Sequence, residues 1–152
     1  MNDASRQSLF LAIGAASIAW ASSGAAQTCA APQSLFVNSV ISGSTCGANA
    51  FPTMNHGTIR TPGDDLVFRV SPSLYGVDSI LLQGIPNEQY VFVCSGCGLN
   101  AECVAAGRTD ESGTVSVPYP SDDGDYYVIV DGPDPGCGDY SIRASGPLLT
   151  TP

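Results

Sequence analysis

The fold of this chain is decided by the sequence GDYYVIVDG at residues 124–132. Its centre, residues 126–130, is a run of aromatic and β-branched residues that makes both faces of an extended strand apolar. A strand with two apolar faces is covered on both sides, so it lies inside a sheet rather than at its edge. The stretch therefore predicts a central, buried β-strand from Tyr126 to Asp131.

Shorter runs of the same kind recur along the chain. In the segment 65–70 the residues Leu66, Phe68 and Val70 point one way and Arg69 the other, the alternation of a strand with one buried face. The separating segments are rich in Gly, Pro, Asp and Asn, which favour turns. The predicted strands are Leu35–Ile41, Asp65–Val70, Val77–Gln83, Gln89–Cys94, Glu102–Ala105, Thr114–Val117, Tyr126–Asp131 and Asp139–Ala144.

No sustained helical period follows Ala26, and the predicted strands are spaced about ten residues apart, which is typical of a sandwich or barrel. The sequence therefore predicts an all-β fold, a jelly-roll-like antiparallel β-sandwich.

The first 26 residues have the pattern of a secretory signal peptide. Arg6 precedes a run of about a dozen mostly apolar residues, and small residues follow up to Ala26. A membrane-spanning helix needs roughly twenty such residues, so the transmembrane alternative is weaker. We expect cleavage after Ala26, a single domain at residues 27–146, a short tail at residues 147–152, and no membrane span in the mature protein. The predicted location is outside the cytoplasm, extracellular or periplasmic.

The charge of the chain excludes one class of partner. The sequence has 5 Lys and Arg against 14 Asp and Glu, a formal net charge of −9. Nucleic acid would be repelled, because no basic stripe is present to replace phosphate counterions. We expect the acidity to support solubility outside the cell, with a cation such as calcium as an alternative role.

All the cysteines follow the predicted cleavage point, and an even number in an oxidising compartment indicates three disulfides. They are Cys29, Cys46, Cys94, Cys97, Cys103 and Cys137. About fifteen pairings are open to six cysteines, and the favoured single bridge is Cys94 to Cys103. Cys94 and Cys97 also match the C-x-x-C spacing of redox and zinc sites. That reading is the weaker one, because the motif follows a strand-like run instead of opening a helix.

Several of these patterns together resemble a known family, the bacterial pre-peptidase C-terminal domain. The segments 28–30, 63–68 and 91–94 with Cys103 are similar to its opening, an early strand and a cysteine loop. The segments 124–132 and 138–142 resemble its Gly-x-Tyr-Tyr-x-x-Val-x-Gly strand and its final strand. The resemblance implies a β-sandwich of the kind that is appended to secreted peptidases, here as a stand-alone secreted copy.

A group of aspartates around the central strand suggests a metal. Carboxylates in loops at one end of a sandwich can supply the six to eight oxygens that calcium prefers. Aspartate also favours turns for purely structural reasons, and that alternative stays open. The candidate calcium ligands are Asp122, Asp123, Asp125, Asp131, Asp134 and Asp139.

The sequence contains no recognisable catalytic constellation. His56 is the only histidine, it lies in a loop-like stretch, and no G-x-S-x-G motif provides a nucleophile. We therefore assign no catalytic residues and expect a protein that is not an enzyme. Among the tyrosines, Tyr126, Tyr127 and Tyr140 are explained by packing in strands, which leaves Tyr75 and Tyr119 as candidate ligand-binding residues in loops.

These observations predict a secreted, non-catalytic binding domain that attaches to an extracellular polymer or protein surface, such as carbohydrate, matrix or a cell surface. An alternative is a structural subunit that self-associates into an oligomer or filament, through an apolar edge strand such as Leu35–Ile41. A third reading is an accessory or inhibitory partner of a secreted peptidase, which follows only from the proteins beside which the relatives occur.

Overall fold

The computed structural model describes residues 28–48, 54–56, 59–61, 64–70, 76–85, 88–97, 101–122, 124–132 and 136–147. The described residues form strands and no helix. In chain order the strands are β1 Gln33–Leu35, β2 Val40–Ser44, β3 Met54–His56, β4 Ile59–Thr61, β5 Asp65–Val70, β6 Ser79–Ile85, β7 Tyr90–Cys94, β8 Cys103–Arg108, β9 Thr114–Pro118, β10 Tyr127–Asp131 and β11 Asp139–Ser145.

Two sheets form the sandwich. The first has five strands in the order β1-β5-β10-β7-β8, and the second has four in the order β2-β11-β6-β9. Strands β3 and β4 form a separate two-stranded pair. Neighbours run antiparallel except for β1 and β5, which are parallel. The predicted all-β sandwich is confirmed.

Strand β10 has the central position that its sequence predicts. Its residue Ile129 lies opposite Val67 of β5 on one side and Phe92 of β7 on the other. All three side chains are fully buried. They belong to a cluster on the outer face of the five-stranded sheet, where Cys29, Cys97 and Tyr90 also pack. This second apolar cluster explains why both faces of β10 are apolar.

The main core lies between the two sheets. Alternate residues of strands in the two sheets enter it, such as Phe68 of β5, Val128 of β10 and Ile142 of β11. Phe68 and Tyr140 meet edge to face, with ring centroids 5.9 Å apart. Burying one such large apolar side chain stabilises a fold by about 1.5–3 kcal/mol, and this core contains more buried residues than the outer cluster.

Three disulfides cross-link the described residues. Cys94 pairs with Cys103 across β7 and β8, as predicted. Cys29 pairs with Cys97, and Cys46 pairs with Cys137, closing separations of 68 and 91 residues. The two cysteines of the C-x-x-C motif are therefore bonded to different partners and do not form a redox pair with each other.

The predicted single strand Leu35–Ile41 is wrong. The chain leaves the five-stranded sheet after β1, turns at Asn38, and enters the four-stranded sheet as β2. Asn38 has φ 60°, a left-handed conformation that asparagine tolerates better than most residues. Its amide donates to the carbonyl of Ala144 at 2.7 Å. The turn interrupts what looked like one apolar strand.

The sequence reading also missed the pair β3 and β4. Each strand has three residues, too few for an alternating pattern to be recognised. His56, which was expected in a loop, is the last residue of β3. The predicted signal peptide lies outside the described residues. The boundaries at residues 27, 146 and 152 remain predictions.

Candidate binding surface

The loops at one end of the sandwich bring polar and aromatic side chains together. Strand β10 begins at this end, while β5, β7 and β9 finish there. The connection from β9 to β10, residues 119–126, crosses from the four-stranded to the five-stranded sheet. We call the surface formed by Arg69, Tyr119, Asp122, Asp125 and Tyr126 the loop-end surface.

Hydrogen bonds to the Asp122 carboxylate form a turn in the second half of this connection. The Oδ1 atom of Asp122 accepts a hydrogen bond from the Gly124 amide at 3.1 Å, and its Oδ2 atom accepts one from the Tyr126 hydroxyl at 3.0 Å. A Cβ atom at Gly124 would come within 2.6 Å of the Tyr126 ring, so the tight turn requires glycine. The bond to Asp122 raises the pKa of Tyr126, which keeps its hydroxyl protonated.

Tyr119 is held against this turn. Its ring meets that of Tyr126 edge to face, with centroids 5.7 Å apart, and its amide donates to the carbonyl of Asp78 at 3.0 Å. Burial raises the pKa of Tyr119 to about 12, and the charge of Asp125 contributes in the same direction. The phenol is therefore neutral at physiological pH, and part of its ring stays accessible.

A charged pair completes the surface. Arg69, the last outward-facing residue of β5, forms a salt bridge with Asp125 at 2.8 Å. The side chains are 48% and 72% exposed, so both remain available to a ligand. The hydrogen bond to Asp125 raises the pKa of Arg69. Because exposed pairs contribute about 0–1 kcal/mol to stability, a ligand can replace this contact at little cost.

This arrangement is suited to binding. Tyrosine and arginine are the residues that dominate the energetics of many interfaces, and a tyrosine ring combines an apolar face with a hydroxyl. Here the two tyrosines are fixed by each other and by Asp122. Little side-chain entropy remains to be lost when a ligand binds, which favours affinity.

The structure describes one of the two candidate ligand-binding tyrosines. Tyr119 lies in the loop-end surface. Tyr75 lies outside the described residues, and its role as a ligand-binding residue stays a prediction. Sequence reasoning missed Arg69 and Asp125 as a pair and treated Tyr126 as a packing residue only. The alternation in β5 already showed that Arg69 faces outward, but its partner lies 56 residues later in the chain.

The described candidate calcium ligands fall into two groups. Asp122 and Asp125 precede β10, whereas Asp131 ends it and Asp139 begins β11 at the opposite end of the sandwich. From Asp125 to Asp131 the chain extends for about 20 Å, so the four cannot share one ion. Within the described ranges no group of three or more metal-ligating side chains is present. Asp123 and Asp134 lie outside those ranges, and calcium binding stays a prediction.

Comparison with solved structures identifies the class of fold. The structure is similar to the pre-peptidase C-terminal domain of a collagenase from Bacillus anthracis, with TM-score 0.50 and 17% identity, covering 74% of this chain and 92% of that chain. It also aligns with a periplasmic inhibitor of g-type lysozyme from Aeromonas hydrophila, with TM-score 0.40 and 14% identity, covering 72% and 92%. No protein-family model and no curated protein matches the chain.

The first similarity confirms, at the level of the fold, the resemblance that the sequence motifs predict. The two-sheet arrangement is that of a pre-peptidase C-terminal domain. At this identity the similarity defines the architecture and leaves the ligand to be argued from the surface itself. The described part of the chain has no apolar helix of the length that a membrane crossing requires.

Proposed function

We propose that this protein is a secreted, non-catalytic binding domain that attaches to an extracellular polymer or protein surface through its loop-end surface. The observation that carries the proposal is the exposed Arg69–Asp125 pair beside the fixed rings of Tyr119 and Tyr126. It offers a cation, an anion and the partly exposed ring of Tyr119, which the buried Tyr126 supports from below. That combination suits carbohydrate or a polar protein surface.

Two features support export. The predicted signal peptide directs the chain out of the cytoplasm. Three disulfides are typical of proteins that fold in an oxidising compartment, extracellular or periplasmic. The bridges also support the binding role, because Cys94–Cys103 lies at the same end of the sandwich as the loop-end surface.

Binding can be tested with purified protein of residues 27–152 and a panel of insoluble cellulose, chitin and immobilised gelatin. The variant Arg69→Glu reverses the charge at the loop-end surface. Its matched control is Arg108→Glu, because Arg108 is similarly exposed, at 56%, and faces Glu88 at the opposite end of the sandwich at 3.8 Å. We expect Arg69→Glu to lower the bound fraction and Arg108→Glu to leave it unchanged.

Two results would overturn the proposal. One is hydrolysis of any of these polymers by the purified protein, which would make it an enzyme. The other is equal retention of both arginine variants on every polymer that binds the wild type, which would place the binding surface elsewhere. Co-purification with a secreted peptidase, abolished by Arg69→Glu, would specify the partner as a protein.

A further inference from the structure

Strand β2 leaves one edge of the four-stranded sheet open. Within the described residues it pairs with β11 on one side only, and four of its five residues are exposed. Its sequence, VISGS, has no charged residue and no proline. An exposed edge presents unpaired N–H and C=O groups, and proteins that remain monomeric usually block it with lysine, proline or a bulge.

The opposite edge of the same sheet is blocked. Strand β9 ends in Pro118, and it lies against β8, where a Cβ at Gly107 would come within 2.6 Å of Val115. The contrast between the two edges indicates that β2 is the place where this sheet accepts another strand.

The hydrogen-bond ladder shows which residues of β2 are available. The Thr45 amide donates to the Gly138 carbonyl at 2.9 Å, just beyond the register pair Ser44 and Asp139. Because hydrogen-bonded and non-hydrogen-bonded pairs alternate in an antiparallel ladder, Gly43 and Ile41 direct their backbone groups to β11. Val40, Ser42 and Ser44 direct theirs outward.

We propose that β2 pairs with β2 of a second copy of this chain, antiparallel, about a two-fold axis at Ser42. In this register Val40 lies opposite Ser44 of the second copy, and Ser42 lies opposite Ser42 of the second copy. All the outward-directed backbone groups of the three residues then find partners. Because the contact uses the same surface on both copies, it closes at a dimer and does not extend into a filament.

Charge complementarity supports the same register. Arg143 is the register partner of Val40, and Asp139 is that of Ser44. The two-fold pairing therefore places four residues in one row across the outer face: Arg143, Val40, then Ser44 and Asp139 of the second copy. The backbones of Arg143 and Asp139 are three strand spacings apart, about 14 Å. Both side chains are exposed, and in the described part of the chain neither forms a salt bridge. Arg143 donates its Nε–H to the Ser145 hydroxyl at 3.1 Å along its own strand, so it exchanges this exposed bond when it reaches towards Asp139, twice per dimer.

Two large apolar side chains near this edge are exposed. Phe36 and Val40 are each 60% exposed, and they are two of the three large exposed hydrophobic residues in the described ranges. Phe36 directly follows β1, and Val40 is the first residue of β2. In the dimer, Val40 is flanked by Ser44 of the second copy. The pairing does not involve the loop-end surface, so it holds or fails independently of the proposed binding function.

Sedimentation equilibrium of residues 27–152, in a concentration series up to about 1 mM, measures the dimer directly. Ser42→Pro removes an amide that points away from β11, so the monomer keeps its ladder and the dimer loses hydrogen bonds. The matched control is Ser116→Pro in β9. The Tyr119 amide donates to the Asp78 carbonyl, and because hydrogen-bonded pairs alternate along the ladder, the Ser116 amide points away from β6. We expect wild type and Ser116→Pro to dimerise and Ser42→Pro to stay monomeric.

Cross-linking tests the register. Ser42→Cys places two thiols opposite each other, within the Cα separation that a disulfide spans, whereas Ser141→Cys lies one strand further back on each side and cannot reach its copy. Exchanging charges is a second test: Arg143→Asp and Asp139→Arg should each weaken the dimer several-fold, and the double variant should restore it. A monomer at every concentration, equal cross-linking of both cysteine variants, or a dimer unaffected by Ser42→Pro would refute the proposal.

Discussion

Removal of the Cys46–Cys137 disulfide is the most direct test of how this fold is stabilised. The bridge joins the turn after β2 to the turn before β11, and its sequence separation is 91 residues. Cys46 is exposed, so replacing both cysteines with serine removes the cross-link and little packing. The expected loss is therefore almost entirely the conformational freedom returned to the unfolded chain.

The magnitude follows from loop length. With Cys29–Cys97 intact, the shortest path between residues 46 and 137 runs through that bridge and is about 60 residues long. A loop of this length corresponds to about 4 kcal/mol, compared with about 2.5 kcal/mol for the 9-residue separation of Cys94–Cys103. For a domain of this size 4 kcal/mol lowers the melting temperature by about 15 °C.

Urea unfolding followed by circular dichroism measures both the loss and its cause. The double variant Cys46→Ser with Cys137→Ser should unfold at a lower urea concentration and with a steeper dependence on urea, because its unfolded state is more expanded. An unchanged dependence of the free energy of unfolding on urea, with a loss of stability below about 1 kcal/mol, would refute the loop-length argument. It would mean that the native state, and not the unfolded chain, determines the contribution of the bridge.

Three further outcomes are expected. Gly107→Ala should lower the free energy of unfolding in urea by about 1–3 kcal/mol, because its Cβ would come within 2.6 Å of Val115 and 2.8 Å of Val117. Gly96→Ala is the control and should lower it little, because the nearest atom is 3.9 Å away. Equal losses in the two variants would contradict this argument. Tyr119 has a pKa raised from 10.0 to about 12, so its contribution to stability is complete below pH 10 and is lost as the pH rises to about 12. Absorbance titration should show one tyrosine that ionises late, and Tyr119→Phe should remove that signal. A late-ionising tyrosine that remains in Tyr119→Phe would argue against the assignment. Calcium at about 1 mM should raise the melting temperature if the aspartates bind it, and an unchanged melting temperature would eliminate that role.

Much of the fold could be predicted from the sequence because its signals are local. The alternation in residues 65–70 and the doubly apolar run at 126–130 both identify strands of the sheet, although β5 is buried on both faces except at Arg69 and not on one face only. The prediction of one strand at Leu35–Ile41 failed because the chain passes from one sheet to the other at Asn38. The left-handed conformation of this asparagine leaves no break in the apolar pattern of the sequence. Strands β3 and β4 are too short to leave a pattern.

The candidate site was only partly predictable, since its key contacts join distant parts of the chain. Tyr119 stood out as a loop aromatic, but its contact with Tyr126 depends on the turn held by Asp122. The Arg69–Asp125 pair requires the register of β5 against β10. The partner of Cys46 likewise depends on the register of β2 against β11, and that of Cys29 depends on the outer face of the five-stranded sheet, whereas the short Cys94–Cys103 loop could be inferred from spacing alone.

The arrangement of the three disulfides has a consequence for survival among extracellular peptidases. The loops Cys29–Cys97 and Cys46–Cys137 overlap in sequence, and the short Cys94–Cys103 loop contains Cys97, where the first loop ends. A single cut anywhere between Cys29 and Cys137 therefore leaves both fragments covalently joined. Exposed turns are where such nicks occur. A nicked molecule would separate into two pieces only after reduction, and until then its β-strands remain tethered in one body.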